Sequence, residues 1–105
     1  MTAKPLVVGI GGTSRQNSSS ELSLRACLDR ASSLGAETEL FSGDAIDLPM
    51  YGVGEISPKA RALIDALRRC DGLILSTPSY HGAISGALKN ALDYAEELRK
   101  DVHPY

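Results

Sequence analysis

Two short, almost wholly apolar runs, Leu6-Val-Val-Gly-Ile10 and Gly72-Leu-Ile-Leu-Ser76, each lead into a polar, glycine-bearing loop and then into a segment with helical spacing. No other feature narrows the fold as much. A strand that is apolar at consecutive positions must be covered on both faces, as strands of a parallel sheet are; a half-exposed antiparallel strand alternates instead. Parallel neighbours need crossover connections, which are right-handed and here carry helices.

The helices are marked at their ends as well as along their faces. Leu24, Cys27, Leu28, Ala31 and Leu34 recur at helical spacing after the first loop, with Gly35 placed as a C-cap. Ser18-Ser-Ser-Glu21 fits a capping box at the start of that helix. Residues 36–41 alternate, with Ala36, Thr38 and Leu40 on one side and two glutamates on the other, as a half-covered edge strand does. Residues 42–54, rich in Gly, Asp and Pro, read as a long surface loop. Ser57-Pro58 is an N-cap followed by proline at the first helical position, and Ala60, Leu63, Ile64 and Leu67 form the stripe of the second helix. Asp71-Gly72 ends it, and Leu88, Ala91, Leu92, Ala95 and Leu98 mark a third. Strands alternating with helices define one α/β domain, a doubly wound parallel sheet whose ligand loops lie beyond the carboxyl ends of the strands. Those loops are residues 11–18 and 77–82.

Charge and cysteine content exclude several functions. Eleven basic and 13 acidic residues are scattered along 105 positions, for a net charge of −2, so no field builds up to hold nucleic acid or an anionic membrane. No apolar run approaches bilayer length and residues 1–5 do not resemble a signal peptide, which predicts a cytoplasmic protein. Cys27 and Cys70 stand far apart without a ligand pattern, and both are expected as reduced core residues, with no metal site.

The first loop, Gly11-Gly-Thr-Ser-Arg-Gln-Asn-Ser-Ser-Ser20, surrounds one arginine with hydroxyls between a buried strand and a capped helix. Helix-start amides, hydroxyl donors and a guanidinium together suit a phosphate monoester. A Walker loop is excluded because no Gly-Lys-Ser/Thr ending is present. Gly9-x-Gly11-x-x-Ser14 lacks the third glycine of the dinucleotide fingerprint, and the second strand ends at Leu40-Phe41-Ser42 without an acid for a ribose. The loop also lacks a cysteine, so a thiolate phosphatase has no nucleophile. The second loop, Thr77-Pro-Ser-Tyr-His-Gly82, offers a rigid proline, an aromatic ring and a glycine to a planar ligand, although on its own Tyr80 also reads as a packing residue and His81 as a solvent-facing one.

Gly12-Thr-Ser-Arg-Gln-Asn-Ser-Ser-Ser20 resembles the Gly-Ser-x-Arg-x-x-Ser-x-Asn phosphate loop of the NAD(P)H-dependent FMN reductase family. Thr77-Pro-Ser-Tyr-His-Gly-Ala-Ile-Ser-Gly-Ala-Leu-Lys-Asn-Ala-Leu-Asp93 is similar to that family's Thr-Pro-Glu-Tyr-Asn-Gly-Ser-Ile-Pro-Gly-x-Leu-Lys-Asn-Ala-Leu-Asp stretch, and Asp47-Leu-Pro-Met-Tyr51 to its Asp-Leu-Pro segment. The resemblance implies a flavodoxin-like fold in strand order 2-1-3-4-5. It implies that Arg15, Ser18 and Ser20 hold the FMN phosphate, with Thr13 supplying the hydroxyl that is usually a serine's. Pro78, Ser79, Tyr80, His81 and Gly82 are then expected along the flavin ring and ribityl chain, Ser79 standing for the common glutamate and His81 for the common asparagine.

The implied activity is hydride transfer from NADPH or NADH through FMN to a small acceptor: a free flavin, a quinone, an azo compound or a metal oxyanion. No catalytic side chain is expected, because the cofactor carries the chemistry. Two rivals are a non-enzymatic FMN electron carrier and a flavin-free interaction module. Only three strands are readable, so the domain is expected to be truncated after the third strand and third helix. Leu73-Ile-Leu75 is then an open apolar edge, to be covered in a homodimer or by a complementing C-terminal chain.

Overall fold

β1 (Leu6–Gly11) runs through the middle of a three-stranded parallel sheet of order β2-β1-β3, with β2 at Glu37–Phe41 and β3 at Gly72–Ser76. The computed structural model describes residues 4–12, 19–78 and 85–101. The order is that of a flavodoxin-like sheet, and the helices divide between its faces as right-handed crossovers require.

Alternation along β1 makes that division. Val8 and Ile10 are fully buried in the main core, against Leu63, Ala66 and Leu67 of α2 (Pro58–Arg69) and Leu88 and Ala91 of α3 (Gly86–Asp93). Gly9 faces the other way. A Cβ placed there would lie 2.8 Å from a methyl carbon of Leu24 and of Leu28, so α1 (Ser19–Ser33) rests directly on the β1 backbone. At 12 residues α2 is too short to be stable alone in water. Burial of Leu63 and Ile64, about 1.5–3 kcal/mol each, is what holds it. Its start follows the expected cap: Ser57 Oγ accepts from the Ala60 amide at 3.2 Å, with Pro58 next in line.

Register is fixed where the strands begin. The Leu6 amide donates to Asp71 Oδ2 at 2.9 Å while the Asp71 amide donates to the Leu6 carbonyl at 2.8 Å. The Glu37 amide donates to the Pro5 carbonyl at 2.8 Å. Asp71, between α2 and β3, therefore aligns β3 with β1.

Three expectations need correction. Cys27 is exposed rather than in the core, and Leu34 is 72% exposed. The buried arc of α1 is narrower than its apolar stripe and centres on Glu21, Leu24 and Leu28, because a helix on one face of a three-stranded sheet meets it along a single line. Residues 42–54 are not wholly a surface loop: a 3₁₀ turn, Gly43–Ile46, drives Ile46 into the main core. The third helical stripe is divided, since α3 ends at Asp93 and a 3₁₀ helix, Tyr94–Asp101, continues from it. The Tyr94 amide already donates back three residues, to Ala91. Gly35, by contrast, ends the first helix as expected, with φ at +102°.

Candidate functional site

The two motif-bearing loops leave adjacent strands at the same level. The Gly12 amide donates to the Ser76 carbonyl at 2.6 Å, carrying the β1–β3 pairing one residue past the end of β1. A Cβ on Gly12 would fall 2.5 Å from Thr77 Oγ1 and 2.6 Å from Thr77 Cβ, so only glycine lets the two strand ends close up. Thr77 Oγ1 donates to the Pro78 carbonyl at 3.0 Å and accepts from the Ser85 amide at 3.2 Å. That one hydroxyl ties the departure of the second loop to its return. Ser85, itself buried, then caps α3 by accepting from the Leu88 amide at 3.1 Å.

The first loop returns at α1, whose opening turn is tied down on two sides. Ser76 Oγ donates to the Ser20 carbonyl at 2.8 Å, and Ser42 Oγ donates to Glu21 Oε1 at 2.7 Å. Glu21 is only 4% exposed and also meets Arg25 Nε at 3.3 Å. The Ser18 half of the expected capping box lies outside the described residues.

Of the residues expected to hold cofactor, Ser20 and Pro78 are described: Ser20 in the first turn of α1 and Pro78 at the base of the second loop, both half-buried. Thr13, Arg15, Ser18, Ser79, Tyr80, His81 and Gly82 lie outside the described residues. The described ends, Gly12 and Pro78, stand at the carboxyl ends of neighbouring strands, and the chain returns from them at the starts of α1 and α3. Such a frame fits a ligand with an anionic end and a flat body.

A third segment packs against this frame. Asn90 of α3 donates through Nδ2 to the Leu48 and Pro49 carbonyls at 3.2 and 3.0 Å, and its Oδ1 accepts from the Tyr51 amide at 2.9 Å. The Tyr94 hydroxyl donates to the Pro49 carbonyl at 2.6 Å, and the Tyr51 and Tyr94 rings meet edge to face with centroids 5.0 Å apart. Sequence reasoning gave Asn90 no role. The signal was present, because Asp47-Leu-Pro-Met-Tyr51 and Lys89-Asn-Ala-Leu-Asp93 are both family-like stretches, and the first is polar backbone in need of a partner. The Tyr51 hydroxyl donates to Glu97 Oε2 at 2.6 Å, and this bond, with burial and the nearby carboxylates of Glu97, Glu96 and Asp93, holds the phenol up at about 12. Burial also raises the Tyr94 phenol. Among the described residues no three His, Cys, Asp or Glu side chains gather as metal ligands, and no helix is long and apolar enough to cross a membrane.

A family model described as NADPH-dependent FMN reductase matches residues 5–103. Over 73 residues the chain is 41% identical to an NADPH azoreductase of Bacillus sp. (strain OY1-2), covering 63% of this chain and 40% of that protein. It is 28% identical over 102 residues to an iron-sulfur flavoprotein of Methanocaldococcus jannaschii, covering 89% and 53%. An FMN-dependent NADPH-azoreductase of Staphylococcus aureus is 48% identical over 42 residues, covering 40% and 22%. The chain spans about half, or less, of the length of these curated relatives.

Proposed function

The chain belongs to the NADPH-dependent FMN reductase family, and from that premise we propose that it binds FMN across its two strand-end loops and takes part in NAD(P)H-dependent reduction of a small acceptor. One observation carries the reading. The two strand ends from which the motif-bearing segments leave stand side by side, joined by the Gly12–Ser76 hydrogen bond, with Gly12 so near Thr77 that a side chain there would clash.

Arg15 with the hydroxyls of Thr13, Ser18 and Ser20 would hold the phosphate, and residues 78–82 would lie along the ring. Bound flavin would supply the redox chemistry, accepting a hydride from the nicotinamide and passing electrons on. The protein's share is to bind, orient and shield. Gly12 keeps the loops close, Thr77 closes the base of the second loop, and Asn90 with Tyr94 fastens the 48–51 segment beside α3. The azoreductases among the relatives favour an azo compound as acceptor. A cytosolic location and a partner along the β3 edge, either a second copy or a complementing C-terminal chain, belong to the same proposal.

The test is titration of the purified chain with FMN, followed by absorbance and flavin fluorescence, with Arg15→Ala alongside and NADPH then added without oxygen. Saturable binding weakened about tenfold or more in Arg15→Ala, followed by bleaching, supports the reading. Binding without bleaching leaves an electron carrier, and a colourless protein overturns the FMN assignment.

A further inference from the structure

We infer that Ser42, Ser76 and Glu21 are positioning residues for the phosphate end of the cofactor site, setting where the first turn of α1 stands above the strand ends. The inference rests on the FMN reading above and adds Ser42 and Ser76, to which no motif points, and a further role for Glu21 of the capping box.

Ser42 is the first residue after β2 and occupies the N-cap position of the 3₁₀ turn, in extended geometry at φ −152° and ψ 168°. A serine there ordinarily accepts from an amide of the turn it precedes. Ser42 makes no such bond and instead donates across to Glu21. Glu21 is the third residue of α1, and a carboxylate so deeply buried is tolerated only among partners. On the opposite side of β1, Ser76, the last residue of β3, donates to the Ser20 carbonyl, a group already placed to accept within the helix.

The opening turn of α1 is thus held from the ends of both outer strands, while between them β1 ends at Gly11 and Gly12 follows it. A Cβ on Gly11 would stand 3.0 Å from Ser42 Cβ, which places the Ser42 tether in the same layer as the Gly12–Thr77 contact. Among the described residues the far end of α1 has nothing comparable: Ser33 Oγ donates to the Arg30 carbonyl within the helix. An anion held by helix-start amides and a guanidinium depends on their direction, and binding geometry is lost within about 0.5 Å of misplacement. Tethers confined to the turn that meets the phosphate are therefore expected to act on the phosphate and not on the ring.

FMN and riboflavin, which lacks the phosphate, separate those two contributions. Both are titrated into the full chain as wild type, Ser42→Ala, Ser76→Ala, the double variant and Ser33→Ala, with the thermal midpoint of each. The double variant is expected to bind FMN about tenfold more weakly and riboflavin within about twofold of wild type, while Ser33→Ala leaves the FMN-to-riboflavin ratio unchanged. Glu21→Gln, which keeps an acceptor for Ser42, should lie closer to wild type than Glu21→Ala. If the double variant does not fold, Ser76→Ala alone carries the comparison, with about a threefold loss expected for FMN. Parallel losses of both ligands, or an unchanged ratio in a destabilised variant, overturn the positioning role. A wild-type chain that does not prefer FMN to riboflavin overturns the phosphate reading first, and this assignment with it.

Discussion

Tyr51 and Asn90 make the same loop measurable in two ways. A tyrosine in an unfolded chain loses its proton near pH 10, whereas Tyr51, donating to Glu97, holds its own up to about 12. The folded state therefore binds that proton more tightly. The stabilisation is whole below about pH 10 and is lost as pH rises through about 12. An ultraviolet titration of phenolate should show Tyr51 ionising late, and Glu97→Gln should bring that transition back toward the ordinary range while leaving Tyr94, raised by burial alone, where it was. Asn90 satisfies two carbonyls and one amide of the 48–51 segment, so Asn90→Ala should lower unfolding free energy by about 2–3 kcal/mol in a denaturant titration. Asn90→Asp keeps the shape but turns an acceptor toward two carbonyls. Stability at neutral pH as low as that of the alanine variant, or lower, is the expected result, and near-wild-type stability would remove the clamp from the account.

At the scale of elements, glycine does different work within β1 and just past its end. A methyl group at Gly9 would meet the tips of Leu24 and Leu28, which can give way, whereas one at Gly12 would strike Thr77 at its Cβ and force the strand ends apart. Gly12→Ala should therefore cost about 1–3 kcal/mol and weaken FMN as well, with Gly9→Ala milder on both counts, as unfolding curves and flavin titration together would show. What was legible in the sequence follows the same physical lines. β1, β3 and α2 stand within a residue of where their patterns place them, because continuous apolar runs, the Ser57-Pro58 cap and a full helical stripe are local signals. Cys27 and Ile46 were misjudged because burial of a flanking helix position, or of one isoleucine in a Gly-Asp-Pro loop, is decided by how elements stack and not by local spacing. The frame of the candidate site, two neighbouring strand ends each leading on to a helix, was legible as runs and loops. The tethers that hold it, Ser42 to Glu21 and Asn90 to residues 48–51, join segments 21 to 42 positions apart and leave no periodic trace.

For the whole molecule, the edge at β3 has the largest consequence. Register places Leu73 beside Val8 and Leu75 beside Ile10, so both side chains project to the face that carries α2 and α3, yet they are 44% and 45% exposed where Val8 and Ile10 are fully buried. Among the described residues β3 is an edge of the sheet, and an edge strand with two half-exposed leucines invites a parallel neighbour. On the proposal above, that neighbour is a strand from a second copy or from a complementing chain. At micromolar concentration the protein should associate with itself in sedimentation velocity or bind an apolar-surface dye, and the paired change Leu73→Lys with Leu75→Lys should diminish both signals, since charge on an edge discourages pairing. Because both side chains are already partly in water, the substitution should affect folding less than Leu63→Ala, which empties a fully buried position at about 2–5 kcal/mol. If the wild-type chain sediments as a monomer and leaves the dye dark, the β3 edge needs no partner. Where the chain does self-associate, adding a synthetic strand-helix segment from the remainder of a longer relative distinguishes the two occupants: it should dissolve self-association if the edge belongs to a complementing chain, and leave it intact if it belongs to a second copy.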